Sequence, residues 1–151
     1  MLIYKMKVRP ALLIQRDNQI LVMQYRYGEE DVYALPGGNP DRGETLDIAL
    51  IRELQEELGI DVEVGPLAFA GEVMLPQAKE DVLHMVFTGE ITDGEPVLNP
   101  EHTTALAVVW KPVSELDSLN MYPNVGRQIQ RWLNTRNSLE YIGKISQQFF
   151  G

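Results

Sequence analysis

The sequence predicts an α/β fold built on one mixed β-sheet. Three observations carry the prediction. Strand-like runs precede and follow a segment with helical apolar spacing at residues 45–58, a second helical stripe recurs at 123–134, and Gly and Pro breaks separate the runs. There is no internal repeat and no low-complexity tract. With 151 residues, the chain is expected to form one domain, 1–151, long enough to bury a core without staples.

Residues 6–15 and 19–25 (QILVMQY), separated by Arg16-Asp17-Asn18, read as two strands closed by a short turn, a hairpin. The amino terminus, MLIYKMKVRPALLIQ, has a short apolar run and no small-residue cleavage site, so it reads as a strand and not a signal peptide. The stretch from Gly28 to Gly43, with glycine breaks and two prolines, reads as a long loop of the kind that often carries function. A helix is expected from Thr45 to Leu58, with Thr45 as N-cap and Gly59 as its stop. Three β-rich stretches follow at 61–75, 82–91 and 105–111 (ALAVVWK), broken by Pro76, Asp93-Gly94-Glu95-Pro96 and Asn99-Pro100. They are expected to join the hairpin in the mixed sheet. Residues 123–134 (PNVGRQIQRWLN) begin with proline and place Val125, Ile129 and Trp132/Leu133 on one stripe, a second helix. The tail, 136–151, has weak periodicity and is assigned no element.

Composition narrows the function classes. The chain has no cysteine, which excludes disulfides, thiolate metal sites and a cysteine nucleophile, and fits a reducing, cytoplasmic setting. With 13 basic and 22 acidic residues the net charge is −9, which argues against binding a nucleic-acid polymer and makes any phosphate chemistry depend on bound cations. No apolar run approaches the roughly 18 residues of a membrane span.

The chemistry concentrates in the first helix. At about 100° per residue, Glu53, Glu56 and Glu57 fall within roughly a third of a turn, while Leu50, Ile51, Leu54 and Leu58 gather on another side. Ala49 lies on the carboxylate side, where a small side chain leaves room for a ligand. Arg52 stands four residues before Glu56, close enough to pair with it. Three convergent anions repel one another, and a cation relieves that cost. Hard oxygen ligands select Mg²⁺ or Mn²⁺ over zinc. The alternative is that the glutamates are the solvated side of an amphipathic helix.

The flanking residues decide against that alternative. The order is Gly38, five residues, Glu44, seven residues, Arg52-Glu53-Leu54, one residue, Glu56-Glu57, one residue, Gly59-Ile60, preceded by Leu35-Pro36-Gly37-Gly38. This resembles the signature of the Nudix hydrolases at every specified position. The resemblance implies an α/β/α sandwich and Mg²⁺-dependent hydrolysis of a pyrophosphate bond in a nucleoside diphosphate linked to another group. It further implies that Glu53, Glu56, Glu57 and the carbonyl of Gly38 are metal ligands, that Glu44 lies near a metal-bound water or supports Arg52, and that Arg52 orients the carboxylates. A Nudix fold that binds nucleotide without turnover is the contrasting class, and the intact Arg52, Glu53, Glu56 and Glu57 favour the enzyme.

Outside the box the signals are thinner. The positions just before Trp110 are the apolar Ala107, Val108 and Val109, so the nearest candidates for a general base are Glu101 and His102. Glu80 and Asp81 are further candidates, and His84, amid apolar neighbours, reads as a strand residue. Pro76 follows Ile60 after fifteen residues, a spacing that resembles the ADP-ribose pyrophosphatase branch and equally fits a strand terminator. The short amino-terminal segment instead resembles the compact, house-cleaning members that cleave nucleoside triphosphates. Tyr25, Tyr27 and Tyr33 are candidates to stack on a base, with Tyr33 equally placed to anchor its loop, and Arg9 and Arg26 are candidates to meet a phosphate. The apolar tail ending in Phe149-Phe150 either covers a second copy in a homodimer or packs on its own chain.

Overall fold

The computed structural model describes residues 5–151; residues 1–4, where the predicted first strand begins, lie outside the described part. The elements are β1 (Met6–Arg16), β2 (Gln19–Tyr27), β3 (Glu30–Ala34), α1 (Leu46–Leu58), β4 (Asp61–Val73), β5 (Asp81–Asp93), β6 (Ala107–Pro112), a 3-10 helix (Val113–Ser118), α2 (Gly126–Thr135) and β7 (Glu140–Lys144). Among the described residues, seven strands form one sheet in the order β3-β2-β1-β5-β4-β7, with β6 on the other edge of β2. The β1–β5 and β4–β7 pairs are parallel and the rest antiparallel, so the sheet is mixed as predicted.

Strand alternation sorts the core into two layers. Ala11, Leu13, Ile20 and Val22 face α2 with Val125 and Ile129, and Trp132 and Leu133 pack at the margin of that layer. Leu12, Ile14, Leu21 and Met23 face the other way, onto Leu50, Leu54 and Leu58 of α1. Each helix thus seals one face of the sheet, which is the α/β/α sandwich.

Several expectations are corrected. The Gly28–Gly43 loop contains β3, a strand with a single buried residue, Val32, and therefore too short an alternation to see. The unassigned tail contains β7, an edge strand whose Tyr141 faces solvent. Within α1, Ile51 is 39% exposed and stands off the core, whereas Ala49 is fully buried and leaves no room for a ligand. Thr45 occupies the N-cap position without a side-chain cap bond, its hydroxyl going to Asp47. Gly59 ends α1 as predicted, in the left-handed conformation at φ 66°.

One junction positions the site. β1 and β2 pair only at the closed end of the hairpin, Gln15 with Ile20 and Arg16 with Gln19. The edge of β1 that β2 vacates is taken by the segment after β3. The Leu12 amide donates to the Pro36 carbonyl at 2.8 Å, and the Gly38 amide to the Pro10 carbonyl at 3.4 Å. A Cβ on Gly37 would lie 2.3 Å from the Pro10 oxygen, so only glycine permits this approach.

Candidate active site

Arg52, in the middle of α1, gathers the acidic residues around it. Its Nε and Nη2 donate to the two oxygens of Glu44 at 2.7 and 2.9 Å, a two-pronged pair. Its Nη1 donates to Glu53 at 3.1 Å and Glu56 at 3.2 Å, and Nη2 reaches the Asn39 carbonyl at 3.2 Å. The guanidinium, helped by the Asp41 amide at 2.7 Å, holds the Glu44 carboxyl down at about 2. One cation thereby ties the glycine loop to the helix.

Glu57 lies one turn beyond Glu53 and is only 9% exposed. Burial first, and then the charge of Glu53, push its carboxyl up to about 7. Burial also raises Glu53, against the pull of Arg52. Gly38 closes the other side, because a Cβ there would stand 2.3 Å from the Glu53 carboxyl carbon. Glu56 is the most open of the three, its side chain 38% exposed and turned to Arg52. Among the described residues, no three Asp, Glu or His side chains already stand as a closed metal cage, since the Glu53 and Glu56 carboxylates are bonded to Arg52. The donor set nevertheless fits a hard divalent cation: mutually repelling carboxylates, Glu57 buried and Glu53 partly so, stand on one helix with Glu53 against a backbone that a side chain would block.

The loop with the proposed bases is tied to the same helix. The Val97 and Asn99 amides donate to the Leu58 and Glu57 carbonyls at 3.0 and 2.8 Å, satisfying the end of α1. Asn99 then folds the loop, its carbonyl accepting from His102 and Thr103. Pro100, Glu101, His102, Thr103 and Thr104 line an open cleft of about 330 Å³ with Tyr25 and Glu57. Glu101 and His102 are therefore brought beside Glu57.

The other predicted residues divide. Arg26 is paired with Asp31 across the β2–β3 hairpin at 2.8 Å. Tyr33 acts as an anchor, its backbone bonded to Asn120 and Tyr122 and its ring under Lys111 at 4.9 Å. Pro76 is exposed in the β4–β5 turn. His84 is a buried strand residue, as read. Arg9 proves more central than its sequence suggested, acting electrostatically on Glu53, Glu57 and Tyr25. The available signal was a cation amid the apolar residues of a strand.

A NUDIX domain family model matches residues 5–133. An NAD-capped RNA hydrolase, NudC, of Vibrio parahaemolyticus is 30% identical over 112 residues, 73% of this chain and 41% of that protein. An ADP-ribose pyrophosphatase of Methanocaldococcus jannaschii is 30% identical over 97 residues, 61% of this chain and 57% of that protein. A Bacillus subtilis protein named as a candidate 8-oxo-dGTP diphosphatase is 31% identical over 124 residues, 82% of this chain and 77% of that protein. The chain thus spans about two fifths of the length of the NudC relative and over half of the ADP-ribose pyrophosphatase. The MutT protein structure from Methanosarcina mazei superposes with a TM-score of 0.72 at 20% identity, covering 91% of this chain and 100% of that one, a likeness of fold.

Proposed function

The chain belongs to the Nudix family, and from that premise we propose that it is a pyrophosphohydrolase, one that hydrolyses the pyrophosphate bond of a nucleoside diphosphate linked to a second group, ADP-ribose or another nucleotide sugar, with Mg²⁺. The observation that carries the reading is Glu53 set against the bare backbone of Gly38, with the buried Glu57 one helical turn beyond it. Glu53, Glu56, Glu57 and the Gly38 carbonyl would hold the cation, with Mn²⁺ a workable substitute. When bound, the metal offsets substrate charge and makes a coordinated water acidic enough to attack at neutral pH.

The chain's own residues supply position. Arg52 fixes Glu44, Glu53 and Glu56, so each carboxylate meets its task in one rotamer. Arg9, whose charge is felt at Glu53 and Glu57, takes a substrate phosphate oxygen. Glu101 or His102, across the cleft from Glu57, accepts the proton of the attacking water; His102 suits operation near neutral pH. We assign residues 1–151 to a single domain and propose that it acts in the cytoplasm. Among the described residues, no helix is long and apolar enough to cross a membrane.

The name of the Methanocaldococcus relative and the spacing of Pro76 support ADP-ribose. The second reading, a nucleoside triphosphate pyrophosphohydrolase, is supported by the name of the Bacillus relative. A phosphate- and monophosphate-release screen over ADP-ribose, other nucleotide sugars, dinucleoside polyphosphates and ordinary or oxidised nucleoside triphosphates, with and without Mg²⁺, separates the two. Turnover confined to triphosphates rejects the sugar-nucleotide reading, and turnover without metal rejects the mechanism. Glu57→Gln is expected to reduce kcat by about a thousandfold or more with an unchanged melting temperature; near-normal turnover removes Glu57 from its role.

A further inference from the structure

The carboxy-terminal segment builds a second cleft at the end of β2. Phe149 and Phe150 fold back toward Tyr27, Leu75, Ala78 and Tyr122 and enclose about 200 Å³. The tail is fastened there. The Asn124 amide donates to Gln147 Oε1 at 2.7 Å, Asn124 Nδ2 to the Ser146 carbonyl at 2.9 Å, and Gln147 Nε2 to the Met121 carbonyl at 3.1 Å. The Ile145 amide donates to Glu72 at 2.7 Å. The bonds to Asn124 and Met121 fall on either side of Tyr122, so the tail and Tyr122 are held in one frame. Behind Tyr122 stands His84, 1% exposed, in edge-on contact at 5.3 Å with neither ring nitrogen partnered. It backs the Tyr122 ring from the core side.

The cleft neighbours the carboxylates along β2. Tyr25 lines the recess that holds Glu57, and Tyr27, two residues on and on the same side of the strand, lines this one. The charge of Arg9 is felt at Glu53 and Glu57 and also at Tyr122. Tyr27 and Phe149 are 45% and 43% exposed, two large rings with free surface bordering one recess. Pockets that enclose a whole ligand usually exceed about 300 Å³. This smaller one suits a single flat ring system.

Resting on the nucleotide reading above, we propose that this aromatic cleft is the subsite for the substrate's heteroaromatic base, which stacks on Tyr27 and the tail residue Phe149 while the diphosphate runs past Arg9 to Glu53 and Glu57. The tail is then a specificity element. It rewards substrates with a flat base and offers a bare sugar diphosphate nothing to stack on.

Two measurements on the full chain test this. In kinetics on the best substrate of the screen, Phe149→Ala is expected to raise KM roughly tenfold with kcat changed less than about twofold, and Phe149→Trp to restore KM. With phosphoribosyl pyrophosphate, a diphosphate on ribose without a base, Phe149→Ala is expected to change nothing. An unchanged KM on the nucleotide, or equal losses on both compounds, overturns the subsite and leaves hydrolysis standing. The second measurement needs no turnover: AMP added to the metal-free protein is expected to shift the ring proton resonances of Tyr27 and Phe149, and ribose 5-phosphate to leave them in place. Failure of both rings to respond to AMP overturns the proposal. A response to AMP in a protein that cleaves no diphosphate retains the subsite and removes the proposed reaction.

Discussion

At the scale of single residues, Gly38 and His84 have the sharpest consequences. A methyl at Gly38 would stand 2.3 Å from the Glu53 carboxyl carbon, and that carboxyl, at the end of a flexible side chain, must move aside. Gly38→Ala is therefore expected to fold with a near-normal melting temperature while kcat/KM falls about a hundredfold, the cost of misplacing a reacting group by about 1 Å. A lowered melting temperature with normal kinetics would contradict this. Gly37→Ala meets the Pro10 backbone at 2.3 Å and is expected to act in the opposite way, through stability. Burial first, and Arg9 second, lower the His84 imidazole to about 4. Because its folded value lies below its unfolded value, its contribution is fully present above about 6.5 and is lost as pH falls from there toward about 4. Melting curves at pH 7 and pH 4.5 are expected to converge in His84→Leu relative to the parent. Glu44, held at about 2, fails only in more acid solution, as pH drops from the ordinary glutamate value of 4.5 toward 2.

At the scale of elements, α1 separates support from chemistry around its circumference. Leu54 is fully buried between α1 and the sheet, whereas Ile51 is 39% exposed. Leu54→Ala is expected to cost about 2–5 kcal/mol in urea denaturation and Ile51→Ala below about 1 kcal/mol. Equal costs would mean that the helix is seated differently. The contrast also indicates what the sequence could convey. The boundaries of α1 and the β1–β2 hairpin were legible because their apolar periods run over many residues and end at Gly59 or Asp17-Asn18, whereas the two-layered core followed from the resemblance carried by residues 38–60. β3 and β7 were not, since each is five residues long with little buried surface. Within the site, the spacing from Gly38 to Glu57 was legible because local helix geometry alone relates the carboxylates. The meeting of Arg9, Tyr25 and the 97–104 loop with that helix depends on pairings between segments far apart in the chain, which no local period encodes.

At the scale of the whole molecule, a net charge of −9 sets the terms of binding an anionic substrate. Chelation by EDTA is expected to abolish turnover and Mg²⁺ to restore it. Because an ion bound only to the folded state stabilises that state, about 10 mM Mg²⁺ should raise the melting temperature of the parent and leave Glu57→Gln nearly unmoved. An equal rise in both proteins would place the ion elsewhere. The pairing of Pro36–Gly38 with β1 has one further implication. The Pro36–Gly38 segment is stitched into the edge of a central strand, so it has no hinge of its own on which to open. The Leu12 amide should exchange with solvent deuterium only as slowly as the innermost sheet. On warming, activity should then vanish together with the fold, in one cooperative step, because nothing in the loop can melt first.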